Sequence, residues 1–149
     1  MISIILQCVL AYFVLDLLTG FYHLATDKGW NIKQQVELFN DHHTTNTMTG
    51  YDWQPLLMAI PAFAAGCYWH IPFFIALGVL AVFTQVPHYF AHHPPKRGPI
   101  RWLQRAGIII TPEHHAGHHK DEFGQNFCVF TGWGDLVLNP LVRFFSGRK

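Results

Sequence analysis

The sequence predicts an all-α integral membrane protein with about three transmembrane or re-entrant helices and further helices at the membrane interface. Half of its 149 residues are hydrophobic and 13% are charged, whereas about 25% are charged in an ordinary soluble domain. Several apolar runs approach the length that crosses a bilayer. Histidine is unusually frequent, with eleven residues that fall mostly in tight clusters. The length predicts a single domain over residues 1–149.

The segment from Ile2 to Leu24 predicts the first transmembrane helix. It is apolar apart from Gln7, Asp16 and a few small polar residues, and at 1.5 Å per residue it spans roughly 30 Å. A signal peptide is less favoured because no basic stretch precedes the apolar run and no small-residue cleavage pattern follows it.

Two further apolar runs predict a helical hairpin, after a polar stretch over residues 25–54 that is expected at the membrane surface or in water. The runs extend from Leu56 to Trp69 and from Phe73 to Phe90. The first arm is short for a full crossing and contains Pro61, so we expect it to be tilted, kinked or only partly inserted.

The remaining chain mixes basic and apolar residues and predicts two interfacial helices. Arg101 and Arg105 share one face of the first, which also includes the run Ile108 to Ile110. The segment from Leu136 to Phe145 predicts a second helix that lies flat on the membrane.

This topology gathers the histidine motifs on one side of the membrane. If the first helix crosses once and the hairpin goes out and back, the ends bearing His23, His88 and His92 emerge together. All ten Lys and Arg lie on that side, while the opposite turn near His70 has none. The positive-inside rule therefore predicts a site on the cytoplasmic face, of the inner membrane in a bacterium.

The spacing of the histidines predicts a metal site. His88 and His92 are four residues apart and share a helix face, whereas adjacent His42 and His43 point about 100° apart on a helix and suit two different ions. Zinc is satisfied by three or four protein ligands, while this face offers enough for two ions, and imidazole also suits iron, copper and nickel. The candidate ligands are His23, His42, His43, His88, His92, His115, His118 and His119, with His114 as a ninth candidate.

Two acidic residues accompany the candidate ligands, and no catalytic residue beyond the ligands is predicted. Asp16 lies inside the first helix, where a structural hydrogen bond or a contact to a ligand histidine is favoured over direct ligation. Asp27 follows His23 by four residues and either ligates the metal or orients that imidazole. The three cysteines are far apart and form no Cys-x-x-Cys pair, and Cys128 is expected to pack.

The order and separation of these motifs resemble the membrane lipid desaturase family, which includes plasmanylethanolamine desaturase, bacterial regulators of carotenoid synthesis and the plant enzyme that desaturates palmitate on phosphatidylglycerol. The resemblance runs from about Asp16 to Asp135. It rests on Asp16-Leu-Leu-Thr-Gly20-Phe-Tyr-His23-Leu-Ala-Thr-Asp27, Phe39-Asn-Asp-His42-His43, His88-x-x-x-His92, Leu103-Gln104, His114-His115-Ala-Gly-His118-His119, Asn126-Phe127-Cys128 and Thr131-Gly132-Trp133.

The resemblance implies a non-haem diiron centre that uses O₂ as co-substrate and takes electrons from an external donor, a cytochrome b5-like or ferredoxin-like protein. It implies a membrane phospholipid as the substrate and the removal of two hydrogens from neighbouring carbons. The product is then the vinyl ether of a plasmalogen or a double bond in an acyl chain.

Two alternatives stay open at this point. A lipid hydroxylase would use the same diiron centre, because the two reactions diverge only after the first hydrogen abstraction. A membrane metal carrier or sensor would bind zinc or another divalent ion without consuming oxygen. Nucleic acid is excluded as a partner, since the formal net charge is +1 and no basic stripe is present.

Overall fold

The computed structural model describes residues 3–46, 54–120 and 124–146, which contain eight helices and no strand. The predicted all-α class is therefore confirmed for these parts of the chain. The helices are α1 (Ile4–Asp27), α2 (Lys33–Thr45), α3 (Gln54–Trp69), α4 (Pro72–Val82), α5 (Gln85–His92), α6 (Pro99–Arg105), α7 (Pro112–Lys120) and α8 (Asp135–Ser146).

Two helical stretches are long and apolar enough to cross a membrane. One is α1, with 24 residues and a mean hydropathy of 2.0, and the other is the 21-residue stretch Pro72–His92, which comprises α4 and α5. The third apolar helix, α3, is shorter, as its sequence indicated. Helix α1 also continues three residues beyond Leu24, so that His23 and Asp27 lie one turn apart in the same helix.

Helices α3 and α4 form the expected hairpin and pack with their backbones in close contact. A Cβ atom added to Gly78 would lie 2.7 Å from the carbonyl oxygen of Ala59 and from Cβ of Phe63. A Cβ on Gly66 would lie 2.5 Å from the backbone nitrogen of Ile75. Glycine is therefore needed at both positions, and such close approach through small residues is typical of membrane helix pairs.

The chain after α6 departs from the prediction. The helix ends at Arg105, because Gly107 adopts a positive φ of 67°, and the isoleucine run does not continue it. Ile110 is fully buried and its N–H donates to the carbonyl of Phe130 at 2.9 Å. Ile109 and Ile110 therefore belong to the core, whereas Ile108 is exposed, and the run is not part of an interfacial helix.

Two small apolar cores hold the loops against α1. One contains Leu15 of α1, Ala59 of α3, Ala81 of α4 and Phe130. The other contains Phe127, Cys128 and Leu138, which confirms that Cys128 packs in the interior.

Helix α8 is amphipathic, as its sequence indicated. Leu138 is buried against the second core, whereas Leu136, Phe144 and Phe145 are exposed on the outer face. That this face lies flat on a membrane stays a prediction.

Candidate metal centre

Four helices bring side chains that can bind metal close together. Helix α1 contributes His23 and Asp27, α2 contributes His42 and His43, α5 contributes His88 and His92, and α7 contributes His115, His118 and His119. In α1, α5 and α7 the ligands include a pair separated by four residues, which lies on one helix face. In α2 the adjacent His42 and His43 point in different directions and belong to different groups.

The ligand atoms fall into two groups of four, within each of which all the atoms lie within 4.8 Å of one another. We call the group with Asp27 the carboxylate cluster; its members are His23, Asp27, His43 and His118. We call the other the imidazole cluster; its members are His42, His88, His92 and His115. A third group, made of His42, His43 and His119, overlaps both clusters and joins them.

The nitrogen contacts in the imidazole cluster are those expected around an ion. Nε2 of His115 lies 2.8 Å from Nε2 of His92, 3.1 Å from Nε2 of His88 and 3.2 Å from Nε2 of His119. A ring nitrogen offers one proton or one lone pair, so hydrogen bonding cannot satisfy all three contacts. Ligands bound at 2.0–2.1 Å from one ion lie about 3.0 to 3.4 Å from each other, which matches these separations.

In the carboxylate cluster, hydrogen bonds to backbone carbonyls fix the orientation of two rings. Nδ1 of His23 donates to the carbonyl of Phe127 at 3.0 Å, and Nδ1 of His118 donates to that of Gln125 at 2.7 Å. A carbonyl only accepts, so a neutral ring in either position carries its lone pair on Nε2. Both Nε2 atoms face Nε2 of His43, at 3.4 and 3.2 Å. A proton on Nε2 of His43 can satisfy only one of these two lone pairs, so their convergence favours a cation between the rings.

The Asp27 carboxylate adds a negative charge to this arrangement. Its side chain is 3% exposed, and neither oxygen has a hydrogen-bond partner within residues 3–46, 54–120 and 124–146. The oxygens lie 3.4 to 3.7 Å from Nε2 of His23, His43 and His118. A buried carboxylate without donors is costly, so this set of atoms fits a divalent cation. Of the two roles considered from the sequence, the position of Asp27 supports ligation.

The electrostatic environment keeps the imidazoles ready to bind a metal. Desolvation is the main effect, reinforced by neighbouring histidines, and it lowers the pKa of His43 to about 2 and that of His119 to about 3. The same causes lower the pKa of His115 well below 6.5. At neutral pH these rings are therefore uncharged, and no proton has to leave before a metal binds.

His114, the ninth candidate ligand, lies outside both clusters. Its Nε2 donates to Oδ2 of Asp135 at 2.8 Å, and Asp135 also accepts from the backbone N–H of Cys128 at 3.2 Å. The ring packs on Gly132, where an added Cβ would lie 2.9 Å from Nε2. The His114 ring thus attaches α7 to the segment that precedes α8.

Asp16 has the structural hydrogen bonds that its place in α1 suggested. It is fully buried, and its carboxylate accepts from the N–H and the hydroxyl of Thr131, both at 2.7 Å. The N–H groups of Gly134 and Gly132 also donate to it, at 2.8 and 3.3 Å. Asp16 therefore anchors the 131–134 loop to α1.

Sequence reasoning gave no role to the residues that support the carboxylate cluster. Asn126 has a φ of 60°, exchanges hydrogen bonds with Asn139, and donates to the carbonyl of His114 at 3.0 Å. Asparagine tolerates this left-handed conformation better than most residues. The Asn126-Phe127-Cys128 motif was the one feature of the sequence that pointed to a role for Asn126. The partners of His23 and His118 are the backbone carbonyls of Phe127 and Gln125, which any residue type would supply, so the sequence cannot reveal them.

Comparison with known proteins identifies a family and several relatives that this chain is similar to. A family model described as the lipid desaturase domain matches residues 12–147. The chain is 23% identical to a plasmanylethanolamine desaturase of Myxococcus xanthus, over 91% of this chain and 56% of that protein. It is 26% identical to fatty acid desaturase 4-like 2, chloroplastic, of Arabidopsis thaliana, over 86% of this chain and 52% of that protein.

The chain spans about half the length of these curated relatives. No solved structure matches it. Because the family model covers nearly all of the residues described above, the chain belongs to the lipid desaturase domain family.

Proposed function

We propose that this protein is an oxygen-dependent diiron desaturase of a membrane lipid chain. The observation that carries the proposal is the convergence of seven histidines and Asp27 into two adjoining groups of four ligands, with His119 in the third group that joins them. Two irons bound there would supply the activation of O₂ that removal of hydrogen from a hydrocarbon requires. Membership of the lipid desaturase family points to the same class of oxidoreductase.

The protein's own contribution is a rigid, dry set of ligands. His23, His88, His115 and His118 are each at most 5% exposed. The Phe39 ring lies 4.9 Å from the ring of His23, centroid to centroid. These contacts exclude water from the inner side of the centre, hold the rings in place and confine an oxidising site to a protected volume.

An apolar groove of about 640 Å³ on α1 and α4 supports a hydrocarbon substrate. Two polar groups in its lining already have partners: the Tyr12 hydroxyl donates to the carbonyl of Ile108, and the indole N–H of Trp133 donates to that of Gly107. Tyr12 and His23 lie on the same face of α1, about 16 Å apart along the axis. We propose that the groove holds a lipid hydrocarbon chain at a position remote from the reacting carbons.

The substrate that we propose is a plasmanyl lipid, which would yield the vinyl ether of a plasmalogen, or a phospholipid acyl chain, which would gain a double bond. The first matches the name of the Myxococcus relative and the second those of the Arabidopsis relatives. Electrons would come from a cytochrome b5-like or ferredoxin-like protein at the cytoplasmic face of the membrane. In this proposed topology α6 would present to the donor Arg105 and Trp102, which are both exposed.

Lipid mass spectrometry of a host supplied with ether lipids tests the proposal. We expect vinyl ether or a new acyl double bond with the intact protein and none with His118→Ala, which removes a buried member of the carboxylate cluster. His93→Ala is the matched control, since His93 is exposed and lies outside both clusters, and it should retain the product. An added oxygen would identify a hydroxylase instead. Unchanged lipids in all three strains, together with no oxygen consumption, would favour a metal carrier and contradict the proposal.

A further inference from the structure

We infer that the two metal clusters are inequivalent: the carboxylate cluster binds the first ion tightly, and the imidazole cluster binds the second ion at least tenfold more weakly. The inference rests on the proposed function for the presence of metal at these residues. The inference goes beyond the proposed function because it assigns the order in which the two ions bind and the residues that cause this order.

The first reason is charge. Asp27 gives the carboxylate cluster one buried negative charge close to three imidazoles, whereas the imidazole cluster consists of four histidines. A divalent ion in the first cluster is therefore partly neutralised by its ligands, whereas the ligands that the described part of the chain offers to the second cluster carry no negative charge. At low dielectric this attraction is large, and an ion already bound nearby further disfavours the second one.

The second reason is the hydrogen bonding behind the rings. The carbonyls of Phe127 and Gln125 hold Nδ1 of His23 and His118, so both Nε2 lone pairs point into the carboxylate cluster before a metal arrives. Such outer contacts typically change metal affinity 10- to 100-fold. In the imidazole cluster, Nδ1 of His115 is buried without a hydrogen-bond partner among the described residues. That ring therefore lacks the corresponding restraint.

The third reason is that the two carbonyls belong to a fixed segment. Between them lies Asn126, which is held by Asn139 of α8 and bonded to α7. Four residues after Phe127, Thr131 is bonded to Asp16 of α1. Residues 125–134 thus form a frame attached to three helices, and its position relative to the carboxylate cluster is set by the fold.

Titration of the whole protein with Co²⁺ tests the inference without requiring activity. Protein in detergent would be stripped with a chelator and titrated anaerobically, with visible absorption and metal content measured together. For the unaltered protein we expect two phases of one ion each, at least tenfold apart in Kd. Asp27→Asn should weaken the first phase at least tenfold and keep the second. His92→Ala should remove the second phase and keep the first.

Two further variants control for damage to the fold. Glu37→Gln removes an exposed carboxylate that forms an ion pair with Lys33, and should leave both phases intact. Asp27→Glu restores the charge and should recover most of the tight phase, which distinguishes a lost ligand from a misfolded chain. Circular dichroism and gel filtration report the fold of each variant.

Two equal sites in the unaltered protein would overturn the inference, as would a tight phase that survives Asp27→Asn or disappears in His92→Ala. The outcome is separate from that of the lipid experiment. A protein that desaturates lipid but binds two ions equally would refute only this inference. A protein with two ordered phases and no lipid product would refute only the proposed function.

Discussion

Replacing Asp16 with asparagine should destabilise the protein strongly although no metal ligand changes. The carboxylate accepts four hydrogen bonds in a fully buried position, two from Thr131 and one each from Gly132 and Gly134. An asparagine amide keeps one oxygen and turns an NH₂ group toward the other donors, so about two of these bonds are lost. Hydrogen bonds to a charged group are worth about 1.5 to 3 kcal/mol each, so the loss of two predicts a destabilisation of roughly 3 to 6 kcal/mol.

The measurement is thermal unfolding of the metal-free protein in detergent, followed by circular dichroism. For a chain of this size, about 1 kcal/mol corresponds to a shift of about 2 to 4 °C, so the Tm should fall by roughly 6 °C or more. Glu37→Gln is the control, because its exposed pair with Lys33 is worth at most about 0.5 kcal/mol. A Tm for Asp16→Asn within 2 °C of the control, on the order of half a kcal/mol, would refute the structural role assigned to this carboxylate.

Three other changes test separate parts of the structure. Gly20→Val should cost about 1 to 3 kcal/mol by overpacking, because a Cβ there would lie 2.4 Å from Cδ1 of Leu138; an unchanged Tm would contradict this contact. Ala76→Phe should narrow the apolar groove and reduce the conversion of long-chain lipids several-fold at unchanged iron content. Full conversion would show that the substrate does not bind in this groove. The metal-free protein should lose stability as the pH falls below about 6.5, because His43 and His119 have pKa values near 2 and 3 when folded and about 6.5 when unfolded. The unfolded chain then binds more protons, so a Tm that is no lower at pH 5 than at pH 7.5 would contradict the burial of these rings.

The sequence was sufficient for the part of the site that depends on helical spacing. His88 and His92 share a face because four residues nearly complete a turn, and the order of apolar runs placed them near His23. The same rule could not separate His114 from His115, since each has a partner four residues later in α7. The rotation of α7 distinguishes the two, because it turns His114 toward Asp135 and His115 into the imidazole cluster; that His115 ligates the metal stays a prediction.

The remaining features depend on contacts between residues far apart in the chain. Asp16 finds its donors 115 to 118 positions later, and the Nδ1 partners of His23 and His118 are main-chain carbonyls. Neither kind of partner has a residue type or a period that sequence reasoning can detect. The burial of Ile110 was missed for a related reason. In the sequence, an apolar run beside basic residues resembles an interfacial helix, and only the structure shows that α6 ends before Gly107.

The most direct test of the account is the iron content of the purified, catalytically active protein, measured by mass spectrometry and Mössbauer spectroscopy. The two clusters predict two irons per chain in nitrogen-rich environments, with a carboxylate oxygen at one of them. Asp27→Asn should alter the signal of that iron alone. An active protein that contains no iron, or a single iron per chain, would contradict the account.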